Sequence, residues 1–170
     1  MGDASGGVGL AATVRYHIET LYDGSSRYAE SNTWLSAFVQ QAPEAWSVLL
    51  ELLGATSTNT VQFFACQGLY LKVSNPAAQG DNVWKSCSDA SIREKLLFTI
   101  FDRVTALSSP LSPLVGRRLC LLLVHLILRI GLTEHWRDPI SDIFQALSPQ
   151  HNMCWLVEVL TLLPMELEIE

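Results

Sequence analysis

Apolar residues recur at the three- and four-residue spacing of amphipathic helices along nearly the whole chain. This pattern predicts eight helices, over residues 10–23, 26–41, 44–53, 59–73, 91–107, 113–130, 138–147 and 149–163. No segment has the strict alternation of apolar and polar residues that marks a strand. The sequence therefore predicts an all-α fold.

The sixth predicted helix is the most apolar one. Residues 119–130 are apolar almost all the way round a helix, so this helix needs covering neighbours on several sides. The uninterrupted run falls short of the roughly 20 apolar residues of a membrane span. Arg117, Arg118, His125 and Arg129 also bracket or interrupt it. We expect a central helix packed between other helices and no membrane insertion, with His125 as a core residue bonded to a neighbour.

The apolar stripes of the flanking helices predict which side chains face the core. In the fifth and sixth helices, Leu97, Ile100, Phe101, Leu122 and Leu126 are the expected core positions. The last two helices are predicted to turn the following apolar residues inward: Ile140, Ile143, Phe144, Leu147, Met153, Leu156, Val157, Leu160 and Leu163. Asp138 is expected to cap the seventh helix, with Pro139 in its first turn.

The order of helices and turns predicts the domain organisation. Residues 1–9 are rich in glycine and lack the basic and apolar segments of a signal peptide, so we expect a disordered tail there. Residues 10–170 form the helical region, with a surface loop over residues 74–89. Helix pairs begin at intervals of roughly 35 to 48 residues, close to the period of HEAT and armadillo repeats. The predicted architecture is an α-solenoid of about four HEAT-like antiparallel helix pairs.

Charge and cysteine content narrow the classes of partner. The net charge is −6, with no basic stripe of the kind that binds nucleic acid, so protein partners are favoured over direct nucleic-acid binding. Cys66, Cys87, Cys120 and Cys154 form no C-x-x-C pair. We expect buried free thiols and no metal site.

The sequence also lacks the usual marks of an enzyme. Phosphate-binding, nucleophile-elbow and zinc-protease motifs are all missing, and the four histidines are scattered. The glycine-rich start does not follow a strand, so it is no dinucleotide fingerprint. We expect neither catalysis nor a cofactor.

Several segments, in order, resemble the N-terminal region of the β-karyopherins, the importin-β superfamily. They are residues 34–38 (WLSAF), Ala45 and Trp46, residues 63–73 (FFACQGLYLKV) and residues 156–164 (LVEVLTLLP). The transportin-SR group is the most similar. The resemblance implies a nuclear import receptor that is found in the cytoplasm and the nucleus. It also implies that the receptor binds Ran in its GTP form through its N-terminal repeats and contacts nuclear pore proteins.

The chain departs from that family in length. Family members are several times longer and hold their protein cargo mostly with later repeats, so the resemblance implies cargo binding only in a full-length receptor. We expect a truncated product, whose last helix exposes an apolar face around Leu160 and Leu163.

The second helix of each pair is the expected partner surface, since one helix of each pair lines the concave side of a solenoid. The polar side chains predicted to contact Ran are Gln40, Gln62, Gln67, Lys72, Arg117 and Arg118. The alternative function is a generic helical-repeat scaffold that binds another protein and no GTPase.

Overall fold

The computed structural model describes residues 6–24, 26–54, 57–74, 90–106, 113–128, 138–148 and 153–167. These ranges hold eight helices and no strand: α1 (Gly6–Tyr22), α2 (Tyr28–Gln41), α3 (Ala45–Leu52), α4 (Asn59–Ser74), α5 (Ala90–Thr105), α6 (Pro113–Leu126), α7 (Pro139–Leu147) and α8 (Met153–Leu167). The predicted all-α fold of HEAT-like helix pairs is confirmed. The chain divides into two compact units, residues 1–72 and residues 73–170.

In the first unit, α1 packs on α2 and on α3. The helix α4 approaches α2 and α3 at Gly68, where a Cβ atom would lie 3.0 Å from Leu49 Cδ1 and 3.4 Å from Val39 Cγ2. The core is mostly aliphatic and includes Val14, Ile18 and Leu35, with Phe38 and Trp46 also buried. Isolated helices of this length are only marginally stable in water. Burial of this apolar surface therefore supplies the stability of the two helix pairs.

In the second unit, α6 packs between α5 and α8, and α7 packs on α8. Leu122, Leu123 and Leu126 of α6 are completely buried, as the apolar run 119–130 predicts. Beyond Leu126 the helix widens into a π-type turn at Ile127 and Leu128. The predicted end of this helix at residues 129–130 lies outside the described residues.

Local signals account for several helix boundaries. The Asp138 carboxylate accepts a hydrogen bond of 3.1 Å from the Ser141 amide, and Pro139 follows at the first helical position. The Thr58 hydroxyl accepts from the Val61 amide at 3.4 Å, a long cap at the start of α4. The helix α1 already begins at Gly6, within the predicted tail, and α4 includes Ser74, the first residue of the predicted loop 74–89. Residues 1–5 and 75–89 lie outside the described residues.

The inward faces predicted for α7 and α8 are partly wrong. The side chains of Ile143, Leu147 and Leu156 are buried as predicted. The exposed ones are Ile140, Phe144, Met153, Val157 and Leu160, while Val159 is buried instead. The helix α8 is apolar on more than one side, so periodicity does not decide which side meets the core. The helix α7 has one wide apolar stripe, and Ile140 and Phe144 lie at its exposed edge. Phe101, expected in the core, is half-buried.

Candidate partner-binding surface

The six predicted partner residues lie on three second helices and are divided between the units. Gln40 is on α2, and Gln62, Gln67 and Lys72 are on α4, all in the first unit. Arg117 and Arg118 are on α6, in the second unit. These six side chains differ in burial and in the groups that they contact, so they differ in how accessible they are to a partner.

Lys72 is buried inside the first unit, with 3% of its surface exposed. Its ammonium group donates a hydrogen bond of 2.7 Å to the Val39 carbonyl and lies 5.0 Å from the centroid of the Trp46 ring. Val39 is in the last turn of α2, where carbonyl groups lack partners within the helix and carry the negative end of its dipole. Lys72 therefore ties α4 to α2 and α3, and a partner would reach it only if the unit opened.

Gln62 is also an internal residue. Its side-chain amide donates a hydrogen bond of 3.0 Å to the Gly54 carbonyl, in the turn that follows α3. Its side-chain oxygen is enclosed without a hydrogen-bond partner among the described residues. Gln62 thus links α4 to the turn before it.

Gln40 and Gln67 are the more accessible candidates of the first unit. Gln40 is exposed one residue before the end of α2. Gln67 is half-buried, and its side-chain oxygen lacks a hydrogen-bond partner within the part of the chain that the structure describes. The Gln40 side chain offers an amide group that donates and accepts hydrogen bonds, whereas the side-chain oxygen of Gln67 is enclosed.

Arg117 is the more exposed of the two candidate cations in the second unit. Its Nε lies 2.7 Å from Glu158 Oε1 on α8, and 72% of its side chain is exposed. An ion pair this exposed contributes little to stability, typically below about 1 kcal/mol. The other guanidinium donors of Arg117 remain accessible to an acidic partner, because the group carries five donors. Arg118 is half-buried.

A second contact, between an imidazole and a carboxylate, joins the same two helices. His125 Nε2 lies 2.9 Å from Glu166 Oε2, and both side chains are nearly buried. Both pairs join residues that are 41 positions apart in the sequence. The offset is the same near the beginning of α6, at Arg117, and near its end, at His125. The helices α6 and α8 therefore run parallel, one repeat apart. This offset matches the 40 to 47 residues of a HEAT or armadillo repeat.

Close packing accompanies these pairs. Gly116 on α6 is buried against the six-membered ring of Trp155, and a Cβ atom there would come within 2.6 Å of Cζ3. Gly116 thus provides the notch in which the Trp155 ring sits on α6. Sequence reasoning missed Gly116, Trp155, Glu158 and Glu166, although searching for residues one repeat apart would have paired the two glutamates with Arg117 and His125.

The cysteines are mostly inert. Cys66 and Cys120 are buried thiols outside any disulfide, as predicted, whereas Cys154 is exposed, and Cys87 lies outside the described residues. Burial raises the pKa of Cys120 to about 12, and the charges of Glu158 and Cys154 add to the effect. A thiol with such a pKa stays neutral and unreactive at physiological pH.

Across the described ranges, no three His, Cys, Asp or Glu residues come together in an arrangement that could hold a metal ion. None of the helices described combines the length and apolar character that crossing a membrane requires.

Comparisons with known proteins find similarity to an exportin-like family and to an importin. A family described as Exportin 1-like protein matches residues 112–169, which hold α6, α7 and α8. Importin-13 from cattle and Importin-13 from mouse are each 28% identical over 142 residues, which cover 79% of this chain and 14% of the relative. The chain thus spans a small part of the length of these relatives. No solved structure matches the chain.

These matches support the karyopherin superfamily, the one to which the sequence segments are similar. They agree with the helical-repeat fold.

Proposed function

We propose that this chain is the N-terminal part of a nuclear import receptor of the transportin-SR type and that it binds Ran in its GTP form. The observation that carries the proposal is the match to Importin-13, which extends over 79% of the chain. The helix-pair fold and the Exportin 1-like match over α6 to α8 support it. The proposed protein moves between cytoplasm and nucleus.

In this proposal, the chain binds Ran, whereas cargo transport requires the longer, full-length receptor. Residues 6–167 include four pairs of helices, whereas the matched relatives are several times longer. Binding a GTPase needs a surface of about 1,000 Å² in all, which a few repeats provide. Cargo import and contacts with nuclear pore proteins are proposed for a full-length receptor.

The second helices supply the proposed contacts with Ran. The parallel offset of α6 and α8 places equivalent side chains side by side, so that successive repeats make one continuous face within the second unit. Arg117 is the most accessible charged candidate, and Gln40 is the exposed polar one in the first unit. Lys72 and Gln62 contribute to the internal contacts of the first unit.

Titration calorimetry with Ran tests the proposal. Ran loaded with a non-hydrolysable GTP analogue is expected to bind the chain, and Ran loaded with GDP is expected to bind at least about tenfold more weakly, a difference of ~1.4 kcal/mol. Affinity for the GTP form should be lower than that of a full-length receptor, because less interface is buried. Equal binding of both forms, or no binding by a folded chain, would favour the generic scaffold.

Charge variants locate the contact. Arg117→Glu should weaken binding of the GTP form about tenfold, because it replaces an attraction with a repulsion. The matched control is Lys95→Glu, the same charge change at an exposed position on α5, which is the first helix of its pair. The double variant Arg117→Glu/Glu158→Arg retains an ion pair between α6 and α8. Restored binding in that variant would show that Arg117 acts only through its pair with Glu158.

A further inference from the structure

The contact between His125 and Glu166 differs in burial and in chemistry from the other charged contact between α6 and α8. His125 Nε2 lies 2.9 Å from Glu166 Oε2, with 11% of the histidine side chain and 15% of the glutamate side chain exposed. In the other contact, Arg117 is 72% exposed, and a guanidinium keeps its charge in proteins. An imidazole gains and loses its proton between about pH 5 and 8. The contact at His125 is therefore the one of the two whose imidazole changes charge in that range.

Protonation decides how strongly this contact holds. A protonated imidazole donates a charge-assisted hydrogen bond to a carboxylate, which is roughly twice as strong as a neutral one. Because both side chains are nearly buried, salt screens the attraction less than it does at the surface. Without the proton, the Glu166 carboxylate stays away from water beside a neutral ring, which is unfavourable. The carboxylate then gains free energy by turning towards water.

The backbone of both helices is irregular close to this contact. The helix α6 widens into its π-type turn at Ile127 and Leu128, within three residues of His125, and turns of this type are frequent at functional sites. Pro164 lies inside α8, two residues before Glu166, and has no N–H to bond the carbonyl one turn before it. Each helix thus departs from regular α-helical hydrogen bonding beside the contact, which makes a local movement easier there.

The beginning of α8 is fixed more firmly. The Trp155 ring lies against Gly116 of α6, and Val159 is buried. A movement at Glu166 would therefore turn the part of α8 that follows Pro164 and leave the beginning of the helix in place.

The charge state of His125 acts mainly on Glu166. The other charged side chains described on the helices of this layer are Lys95, Asp102 and Arg103 on α5, Arg117 and Arg118 on α6, and Glu158 on α8. Lys95 and Asp102 are exposed, and Glu158 contacts Arg117, about two turns before His125. Glu166 is the carboxylate that lies against the imidazole, so it responds most strongly to the proton.

We propose that His125 and Glu166 form a proton-dependent contact that holds the end of α8 on α6. The contact stabilises the closed arrangement at pH 6 and loses this effect as the pH rises towards 8. Since α6 and α8 are one repeat apart, the proton controls how firmly two successive repeats of the second unit are joined. This inference does not depend on the proposed binding of Ran.

Urea unfolding at pH 6 and at pH 8 tests the proposal through a double-mutant cycle of His125→Leu and Glu166→Met. The cycle isolates the coupling between the two side chains. We expect a coupling of about tenfold in the equilibrium constant of unfolding at pH 6, as for a hydrogen bond to a charged group, and below about twofold at pH 8. The matched control is the cycle of Arg117→Met and Glu158→Met, whose coupling should be the same at both pH values because this contact contains no imidazole.

Hydrogen–deuterium exchange shows where the chain opens. After correction for the intrinsic pH dependence of exchange, amides around Leu128 and Glu166 should be protected several-fold more at pH 6 than at pH 8. Glu166→Gln keeps the shape of the side chain without its charge and should remove this difference, whereas Glu158→Gln should retain it. Circular dichroism checks that each variant is folded. A coupling that is equal at both pH values or larger at pH 8, or a difference in protection that persists in Glu166→Gln, would overturn the proposal.

Discussion

At the scale of single residues, Lys72 shows how a polar residue becomes part of a core. The sequence places it on the second helix of its pair, where a cation suggests a surface role. In the fold, its long side chain reaches the Val39 carbonyl and the Trp46 ring instead. The sequence around Lys72 does not predict these two contacts, because the Val39 carbonyl and the Trp46 ring belong to other helices, α2 and α3.

Lys72→Met should therefore destabilise the protein. Loss of the ammonium leaves the buried Val39 carbonyl without this donor, at a cost of about 1 to 3 kcal/mol, and removes the cation–π contact as well. Urea unfolding measures the change in the free energy of unfolding. Lys95→Met on the exposed face of α5 is the control, with an expected change within about 0.5 kcal/mol. A Lys72→Met variant as stable as its control would mean that the ammonium contributes nothing.

Gly116→Ala tests the notch beneath Trp155. Alanine is the better helix former by about 1 kcal/mol, yet its methyl group would overlap the Trp155 ring. Overpacking typically costs about 1 to 3 kcal/mol, so we expect a net loss of stability.

Gly9→Ala in α1 is the matched control for Gly116→Ala, since a methyl group there meets nothing within 4 Å. The control should keep the gain in helix propensity and be more stable than the wild type in thermal unfolding. Gly116→Ala that behaves like Gly9→Ala would mean that the ring moves aside at no cost.

At the scale of elements, the periodicity of apolar residues predicted the existence, order and approximate bounds of all eight helices. Some helix ends followed local signals, as at Asp138 and Pro139, whereas α8 continues through Pro164 to Leu167 and not to the predicted end at residue 163. The faces of α7 and α8 were harder, because α8 is apolar on two sides and only the packing on α6 distinguishes them. Val157 and Leu160 are exposed for that reason, while Leu156 and Val159 are buried.

Leu122→Ala tests the central position of α6. The Leu122 side chain is fully buried, and its removal should cost about 2 to 5 kcal/mol through lost burial and a residual cavity. Leu114→Ala is the control in the same helix, where the leucine is 68% exposed and the change in helix propensity is identical. Urea unfolding of both variants should separate them clearly. Equal effects would place Leu122 outside the core.

At the scale of the whole molecule, repetition is the feature that the sequence shows best and the partner surface the one it shows least. The spacing of helix pairs predicted HEAT-like repeats, and the offset of 41 residues in two side-chain contacts supports that period directly. Partner residues are harder to predict, since a polar side chain on a second helix has the same sequence signature whether it faces solvent, as Gln40 does, or contacts the preceding turn, as Gln62 does.

We propose that Ran carrying GTP contacts the second helices within each unit, α2 and α4 in the first unit and α6 in the second. Hydrogen–deuterium exchange of the chain, alone and with Ran loaded with a GTP analogue or with GDP, tests it most directly. We predict added protection in α2, α4 and α6 with the GTP form, little change in the first helices α1, α3 and α5, and none with the GDP form. Protection confined to the first helices, or the same protection with both nucleotide forms, would contradict the claim.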